Sequence, residues 1–321
     1  MKQHKEIAAL LHTAQSERRC AFATTHAQRQ ALHRHTADLE VKRVSTNLYT
    51  NATYWSSLSP PEQALHMARA LHRKYPHWQF GGITAAAAHG FEHRWSLHHE
   101  SVTITTSTRG TNAINPSVKR IYTPRLSSII ASGIPVTDES RTVIDCGITL
   151  RFRDALSIFD SALAHGLTKE DILSSCEQVG QRNRVKVHKL LQYADPASEN
   201  GGESLTRGTI IEQRFMTPNI QTQYTDPLTG KTYRCDFMWR VPDGNIIVGE
   251  LDGTEKYVNP TMTDRRSIRT VVADEREREQ ALLRCGVKTI VRFTFDDVMM
   301  VQPLVRKLIV AGIPQYGQPE N

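Results

Sequence analysis

Residues 233–239 read YRCDFMW, residues 246–252 read IIVGELD, and residues 241–245 between them read VPDGN. The two outer stretches are short, apolar and partly β-branched or aromatic, which is typical of strands. The stretch between them has the residue types of a tight turn. The sequence therefore predicts two neighbouring strands of a hairpin, and the second half of the chain is organised around them.

Each of these predicted strands carries acidic residues. Asp236 lies in the first strand, and Glu250 and Asp252 lie in the second. Because side chains two apart on a strand point to one face, Glu250 and Asp252 are expected to look the same way. Acids beside an apolar strand need compensation, and a divalent cation is the usual one. The three acids predict a metal site; the alternative is that they simply leave the sheet into solvent at strand ends.

The composition limits the class of protein. A length of 321 residues suggests two or three domains. The 40 Lys and Arg against 33 Asp and Glu, a net charge of +7, permit an acidic partner such as nucleic acid without requiring one. Five scattered cysteines without a Cys-x-x-Cys pair favour reduced thiols. No signal-peptide core and no membrane-length apolar run are present, so we expect a soluble, cytoplasmic protein with no membrane partner.

The first part of the chain has the element order of a winged helix-turn-helix. Helical spacing over residues 5–15 is followed by a polar helix over 27–35, and then by a basic hairpin of two short strands over 39–44 and 48–50. Thr25 and Gln28 form a capping pattern before the polar helix. In this motif the second helix enters the major groove and the wing contacts the DNA backbone. The predicted nucleic-acid-binding residues here are Gln28, Arg29, Arg34, Lys42 and Arg43. The alternative is a small helical cap with an ordinary solvated helix.

Two polar stretches predict the domain boundaries. Residues 59–62, SPPE, begin a helix with an apolar stripe, and residues 195–202, DPASENGG, form a linker with Gly and Pro. We therefore expect a winged helix-turn-helix at 1–57, a mainly helical α+β middle domain at 58–195, and an α/β domain at 196–321. The order predicted for the last domain is helix, three strands, helix, strand, helix.

The long helix predicted at residues 270–285 carries Glu275 and Arg278 on or near its apolar stripe. One interpretation is an exposed continuation with neighbouring acid–base pairs. The other is a face that points partly at the acidic strands and places an arginine near a bound phosphate. The sequence leaves both open.

The C-terminal third resembles the PD-(D/E)XK nuclease-like superfamily, and within it an uncharacterised bacterial branch related to very-short-patch-repair endonucleases. The matching stretches, in chain order, are Gly-Glu203-Ser-Leu, Asp236-Phe, Val-Gly-Glu250-Leu-Asp252-Gly, Lys256-Tyr, the Glu275…Arg278-Glu279…Leu282 spacing and Val-Arg292-Phe-Thr. The resemblance implies a restriction-endonuclease-like domain of helix, three-strand meander, helix and strand.

The front of the chain resembles the regulator half of AbiEi-type abortive-infection antitoxins. The similarity is carried by Leu48-Tyr49, by the Thr84-Ala-Ala…His89-Gly helix and by Pro135-Val-Thr…Arg-Thr-Val-Ile-Asp145. It implies an AbiEi-antitoxin-like middle domain, and a toxin or regulatory protein as a partner besides DNA.

The nuclease resemblance implies that Asp236 and Glu250 hold Mg²⁺ or Mn²⁺, with Glu203 in support. One position departs from the pattern, because the superfamily has lysine two residues after the strand glutamate and this chain has Asp252. Lys256 either takes the role of that missing lysine or is an ordinary solvated lysine. These five residues are the catalytic candidates. The predicted nucleic-acid-binding residues of this domain are Arg207, Arg278 and Arg292.

Two hypotheses about function follow. The first is a DNA-binding, Mg²⁺-dependent endodeoxyribonuclease, which requires Asp236 and Glu250 to share one cation. The second is a non-catalytic DNA-binding transcriptional regulator or antitoxin-like protein with a degenerate nuclease domain. The second hypothesis predicts that DNA binding persists after both acids are removed.

Overall fold

Helices and small mixed sheets make this an α/β protein, in the class that the sequence predicts. The computed structural model describes residues 2–37, 40–108, 117–123, 128–177, 179–252 and 268–317. The chain divides into two units: the first is Met1–Leu150 with His165–Gln192, and the second is Arg151–Ala164 with Tyr193–Asn321.

These two units differ from the three predicted domains. Residues 1–57 and most of 58–195 fall into the first unit, whereas the helix at 152–164 belongs to the second. The reason for the first difference lies in packing, because Val44 and Leu48 of the N-terminal hairpin share one buried cluster with Met67 and Phe80. Part of the hairpin therefore shares a core with the rest of the first unit.

The first unit alternates helices with two-stranded sheets. Its elements in the described residues are α1 (Lys2–Ser16), α2 (His26–Ala37), β1 (Val41–Ser45), β2 (Leu48–Asn51), α3 (Ala52–Ser57), α4 (Pro60–Lys74), α5 (Gly82–His89), a 3₁₀ turn (Trp95–Leu97), β3 (Val102–Thr106), β4 (Val118–Tyr122), β5 (Ile129–Ala131), β6 (Ile134–Val136), α6 (Glu139–Thr149), α8 (Lys169–Cys176) and α9 (Gln181–Tyr193). β1–β2 and β5–β6 pair antiparallel, and β3–β4 pair parallel.

The predicted succession of helix, polar helix and hairpin is present at the start of this unit. Ile7, Leu32, Val41 and Tyr49 from α1, α2 and the two strands form one buried cluster. The predicted cap of α2 differs in detail, because the Gln28 side chain accepts hydrogen bonds from Thr24 rather than from the backbone of Thr25. The Thr25 hydroxyl accepts from the Gln28 N–H at 3.2 Å, as the pattern requires.

The second unit places helices on a four-stranded sheet. Its elements in the described residues are α7 (Phe152–Ala164), α10 (Gly201–Glu212), β7 (Asn219–Thr225), β8 (Thr232–Arg240), β9 (Ile246–Asp252), α11 (Ile268–Arg284), β10 (Val287–Thr294), α12 (Phe295–Met300) and α13 (Gln302–Val310). The strand order is β10-β9-β8-β7. β7, β8 and β9 form an antiparallel meander, and β10 is parallel to β9.

The predicted order of helix, three strands, helix and strand is present, but the single helix expected at residues 296–311 is two helices. The break lies at Val301, whose φ of 64° is outside the helical region. Pro303 follows at the start of α13, where a missing N–H costs no helical hydrogen bond. This proline was the sequence signal for the break.

Gly249 precedes Glu250 on β9 and shows how tightly the strand is packed. A Cβ at Gly249 would lie 2.9 Å from the Trp239 ring and 3.0 Å from the Phe293 ring. Both aromatic residues are fully buried. The backbone next to Glu250 is therefore held by the core, and only glycine fits there.

A candidate carboxylate site in the second unit

Glu203 is held in the first turn of α10 by a dense set of hydrogen bonds. The Asn200 side chain caps the helix by accepting from the Glu203 N–H at 3.0 Å. The buried Glu203 carboxylate accepts from the Glu199 N–H at 3.0 Å, and from the amides of Asn200 and Gln221 at 2.8 Å each. Burial raises the pKa of Glu203 to about 7, and the charge of Asp236 acts in the same direction.

Asp236 lies just beyond the end of the residue pairing between β8 and β9. The last paired residues of that ladder are Phe237 and Gly249. Beyond them, the Leu251 N–H of β9 donates to the Asp236 carboxylate at 2.9 Å, so the side chain replaces a backbone acceptor. Burial raises the pKa of Asp236 despite this hydrogen bond.

Glu250 is buried on β9 and is engaged by an arginine of α11. Its Oε1 accepts from Arg278 Nη2 at 2.7 Å, and the same Nη2 donates to the Arg234 carbonyl at 2.7 Å. Burial raises the pKa of Glu250 to about 7, Arg278 opposes the rise, and Asp236 adds to it. Asp236 thus acts on both glutamates, and the structure brings Glu203, Asp236 and Glu250 into one electrostatic cluster.

Negative charge exceeds positive charge in this cluster. Arg278 contacts Glu250, whereas Arg234 forms an ion pair with Glu199 at the edge of the site. Buried carboxylates without matching cations favour proton uptake or cation binding. We call Glu203, Asp236 and Glu250 the acid cluster.

Gln221 joins the acid cluster through an unusual backbone. Ile220 pairs with Phe237 and Thr222 pairs with Cys235, so Gln221 lies opposite Asp236. Its φ of 52° is left-handed, which costs a non-glycine residue about 1–3 kcal/mol. Such strain concentrates at functional sites. Sequence reasoning missed Gln221, because one glutamine in a polar edge strand carries no signal.

The acid cluster fits a magnesium-type ion in its chemistry and in its charge. Among the residues that the structure describes, no group of three or more His, Cys, Asp and Glu side chains is placed to hold a metal ion. Mg²⁺ needs only one or two carboxylates, however, and completes its shell with water and substrate oxygens. Asp236 and Glu250 supply oxygen donors of this kind, and the unbalanced negative charge favours a cation.

The remaining catalytic candidates are Asp252 and Lys256. Asp252 is exposed at the end of β9, whereas Glu250 is buried two residues before it. An exposed acid needs no compensation, so the interpretation of an acid that leaves the sheet into solvent holds for Asp252. Lys256 lies outside the described residues.

The two interpretations of the long helix are separated by its contacts. Arg278 reaches the acidic strand β9, as the second interpretation expects. Glu275 pairs with Arg292 of β10 at 2.5 Å, and Arg292 also lies 3.8 Å from Glu279. Arg292 is therefore a partly exposed residue with acidic partners rather than an unengaged cation.

Arg207 does not fit its predicted role in binding nucleic acid. It is buried, and its guanidinium donates to Asp160 Oδ2 at 2.6 Å and to the Tyr193 carbonyl at 2.5 Å. α7, which carries Asp160, packs closely on α10, where a Cβ at Gly208 would lie 2.7 Å from Arg153 Cα. Arg207 is an internal counter-ion of the second unit and is not accessible to a phosphate.

The candidates on α2 in the first unit are accessible in part. Arg29 and Arg34 are exposed, whereas Gln28 is half-buried and engaged with Thr24. The helix has no acidic residue in its first turn and carries Arg34 and His35 in its last.

The candidates on the hairpin differ from each other. Lys42 is half-buried and lies 3.3 Å from Glu100, so it has an acidic partner. Arg43 is exposed, and it donates to the Ser45 carbonyl at 3.4 Å. Arg43 is therefore the more accessible of the two.

The fold and the site define an α/β protein with a cluster of buried and half-buried carboxylates on a mixed sheet and the helix before it. Comparisons with protein-family models, with curated proteins and with solved structures gave no match. Within the described part of the chain, every helix is too short or too polar to span a membrane. All five cysteines are free thiols.

Proposed function

We propose that this chain is a DNA-binding protein whose second unit hydrolyses phosphodiester bonds with a divalent metal, as an endonuclease of the PD-(D/E)XK type. One observation carries the proposal: Glu203, Asp236 and Glu250 interact electrostatically on a unit built as helix, three-strand meander, helix and strand. Buried acids in excess of cations are what a metal-dependent phosphodiesterase needs.

The residues of the acid cluster would have different roles in metal binding. Asp236 and Glu250 would hold Mg²⁺ or Mn²⁺, and Glu203 would support them through Gln221 and the Asn200 cap. When bound, the metal supplies Lewis acidity and a more acidic water. Arg278 carries positive charge beside Glu250 and is partly exposed, which suits it to bind a phosphodiester oxygen.

The first unit would bind the DNA. Arg29 and Arg34 on α2 and Arg43 on the hairpin are exposed, and they occupy the helix and the wing of a helix, helix and hairpin arrangement. A toxin or regulatory protein as a further partner, and a cytoplasmic location, are part of the same proposal.

A second function is favoured by one specific observation. Asp252 puts an exposed negative charge where the superfamily has the lysine that positions or activates water. A non-catalytic DNA-binding regulator or antitoxin-like protein, with a degenerate nuclease domain, accounts for this residue directly.

Cleavage assays separate the two functions. Plasmid and oligonucleotide substrates are incubated with Mg²⁺ or Mn²⁺ and with the native chain, Asp236→Asn or Glu250→Gln. We expect metal-dependent cleavage that falls at least about 100-fold in both variants, because each removes several kcal/mol of metal-assisted stabilisation.

Asp274→Asn is the matched control, since Asp274 is an exposed acid of α11 outside the cluster. It should cleave like the native chain. If the native chain cuts neither single- nor double-stranded DNA while all four proteins bind it, the enzyme proposal is wrong and the regulator takes its place.

A further inference from the structure

We infer that Arg278 is a built-in counter-cation that competes with the divalent metal for Glu250, and that a nucleic-acid phosphate releases the metal site by drawing Arg278 away. The inference rests on the proposed function and adds its regulation. Metal and nucleic acid would then bind cooperatively, and the free protein would hold its metal weakly.

The contacts of Arg278 place it in competition with a cation. Its Nη2 donates to Glu250 Oε1 and to the Arg234 carbonyl, both at 2.7 Å. Nη2 occupies one lone pair of that carboxylate, and a metal held by the same group would lie close to the guanidinium and be repelled by its charge. The two cations therefore compete for Glu250.

Arg278 carries the charge balance of the site. Glu250, Glu275 and Asp236 all stabilise its positive charge. The nearby arginines are occupied, because Arg234 pairs with Glu199 and Arg292 pairs with Glu275. Removing the Arg278 charge would leave the acids of the cluster more attractive to a metal ion.

The Arg278 side chain is also accessible enough to move from Glu250 to a phosphate. Its side chain keeps 30% of its surface accessible, whereas the Glu250 side chain keeps 10%. A guanidinium binds phosphate with two parallel hydrogen bonds, and this geometry can replace its one bond to a carboxylate and its one bond to a carbonyl. A phosphate that takes Arg278 frees Glu250 Oε1, so by linkage the metal must tighten phosphate binding by the same factor.

The test measures Mn²⁺ binding to the full chain by calorimetry or by electron paramagnetic resonance, without DNA and with a short DNA duplex. The native chain is compared with Arg278→Gln, Arg278→Lys and Arg276→Gln. Arg276 is an exposed arginine of the same helix and serves as the matched control. DNA alone, and Asp236→Asn with DNA, correct for Mn²⁺ held by phosphates.

We expect Arg278→Gln to bind Mn²⁺ about 5–150-fold more tightly than the native chain without DNA, the usual range of such coupling. It should also lose the tightening that the duplex produces in the native chain. Arg278→Lys keeps the charge and should restore weak binding, and Arg276→Gln should behave like the native chain. A merely structural role for Arg278 would lower metal affinity in both variants.

The failures are distinguishable. If Mn²⁺ binding needs Asp236 but Arg278→Gln binds no more tightly than the native chain, the competition is refuted and the proposed function stands. If the native chain and the folded Arg278→Gln and Arg278→Lys variants all fail to bind Mn²⁺ with or without DNA, both are refuted. Thermal unfolding of each variant shows whether it is folded.

Discussion

Asp160 of α7 and Glu250 of β9 are both buried carboxylates of the second unit, and each accepts a hydrogen bond from an arginine, at 2.6 and 2.7 Å. Their surroundings differ. The other oxygen of Asp160 accepts from the Asp195 N–H at 2.9 Å, and Arg207 is buried with it. At Glu250, the negative charges of Asp236 and Glu275 instead contribute to the raised pKa of the carboxyl.

Under the proposed function, this difference separates a structural acid from a metal-binding one. At Asp160, one acid meets one buried cation and a backbone donor, and the local charge is balanced. Both arginines also donate to a carbonyl, but at Glu250 the charges of neighbouring acids remain. Burial and distance are similar at the two places, so the ratio of acids to cations is the informative quantity.

The largest effect is expected at the balanced pair. Asp160→Asn should lower the free energy of unfolding by about 3–5 kcal/mol, because it leaves Arg207 buried with its charge uncompensated. Urea denaturation at pH 8 measures the change. A loss below about 1 kcal/mol would mean that the pair is not the structural element described above.

The same chemical change should have the opposite sign in the acid cluster. Glu250→Gln removes a buried charge whose pKa is raised to about 7, so without metal at pH 8 it should stabilise the fold by about 1–3 kcal/mol. Denaturation in the presence of a chelator tests this, with Asp274→Asn expected to change stability by less than about 0.5 kcal/mol. Destabilisation of the size seen for Asp160→Asn would erase the distinction between the two acids.

A third buried set, in the first unit, contains no acid at all. His93 Nδ1 donates to the Phe91 carbonyl at 2.6 Å, so His93 Nε2 accepts from His98 Nε2 at 2.8 Å. The remaining nitrogen, His98 Nδ1, is buried and has no hydrogen-bond partner among the described residues. Burial lowers the pKa of both rings, that of His98 to about 3, and the charges of Lys119 and His99 contribute for His98.

This histidine pair predicts acid sensitivity. In the unfolded chain a histidine has a pKa of about 6.5 and binds a proton below that pH, whereas His98 in the folded protein stays neutral. The free energy of unfolding therefore decreases as the pH falls below about 6.5. Between pH 6.5 and pH 5 the native chain should lose about 2 kcal/mol more than His98→Gln. Denaturation curves at several pH values measure this. His77→Gln, at an exposed histidine outside the pair, should keep the native pH dependence, and an equally steep loss in His98→Gln would contradict the assignment.

The smallest effect is expected where charge is exposed rather than buried. Arg29→Gln on α2 should weaken DNA binding less than tenfold, uniformly across sequences, and lower the salt slope by about 1. Arg73 of α4 is exposed but pairs with Glu17 at 2.8 Å, so Arg73→Gln is the control. Fluorescence anisotropy between 50 and 200 mM salt, a range of about fourfold in concentration, resolves the slopes. Equal slopes for all three proteins would remove α2 from the DNA interface.

The sequence predicts the acid cluster better than the surroundings of its members. Alternation, turn chemistry and strand acids are local signals, and they locate β8, β9, Asp236 and Glu250 within a residue or two. The burial of Arg207 against Asp160 was not predictable from local signals, because Asp160 lies 47 positions earlier on a helix assigned to another domain. Whether Arg278 points to solvent or to strand β9 also depends on how α11 packs on the sheet. The spacing of apolar residues along the helix does not determine this packing.

The parallel pairing of β10 with β9 has a consequence for how the site assembles. The meander joins β7, β8 and β9 through short turns, whereas β10 returns only after the crossover that contains α11. Local hairpins close quickly, and a parallel crossover closes slowly. We therefore expect Asp236 and Glu250 of the meander to come together before Arg278 reaches them. Docking of α11 brings Arg278 to Glu250, so we expect a late step of folding in this unit to supply the site with its counter-charge.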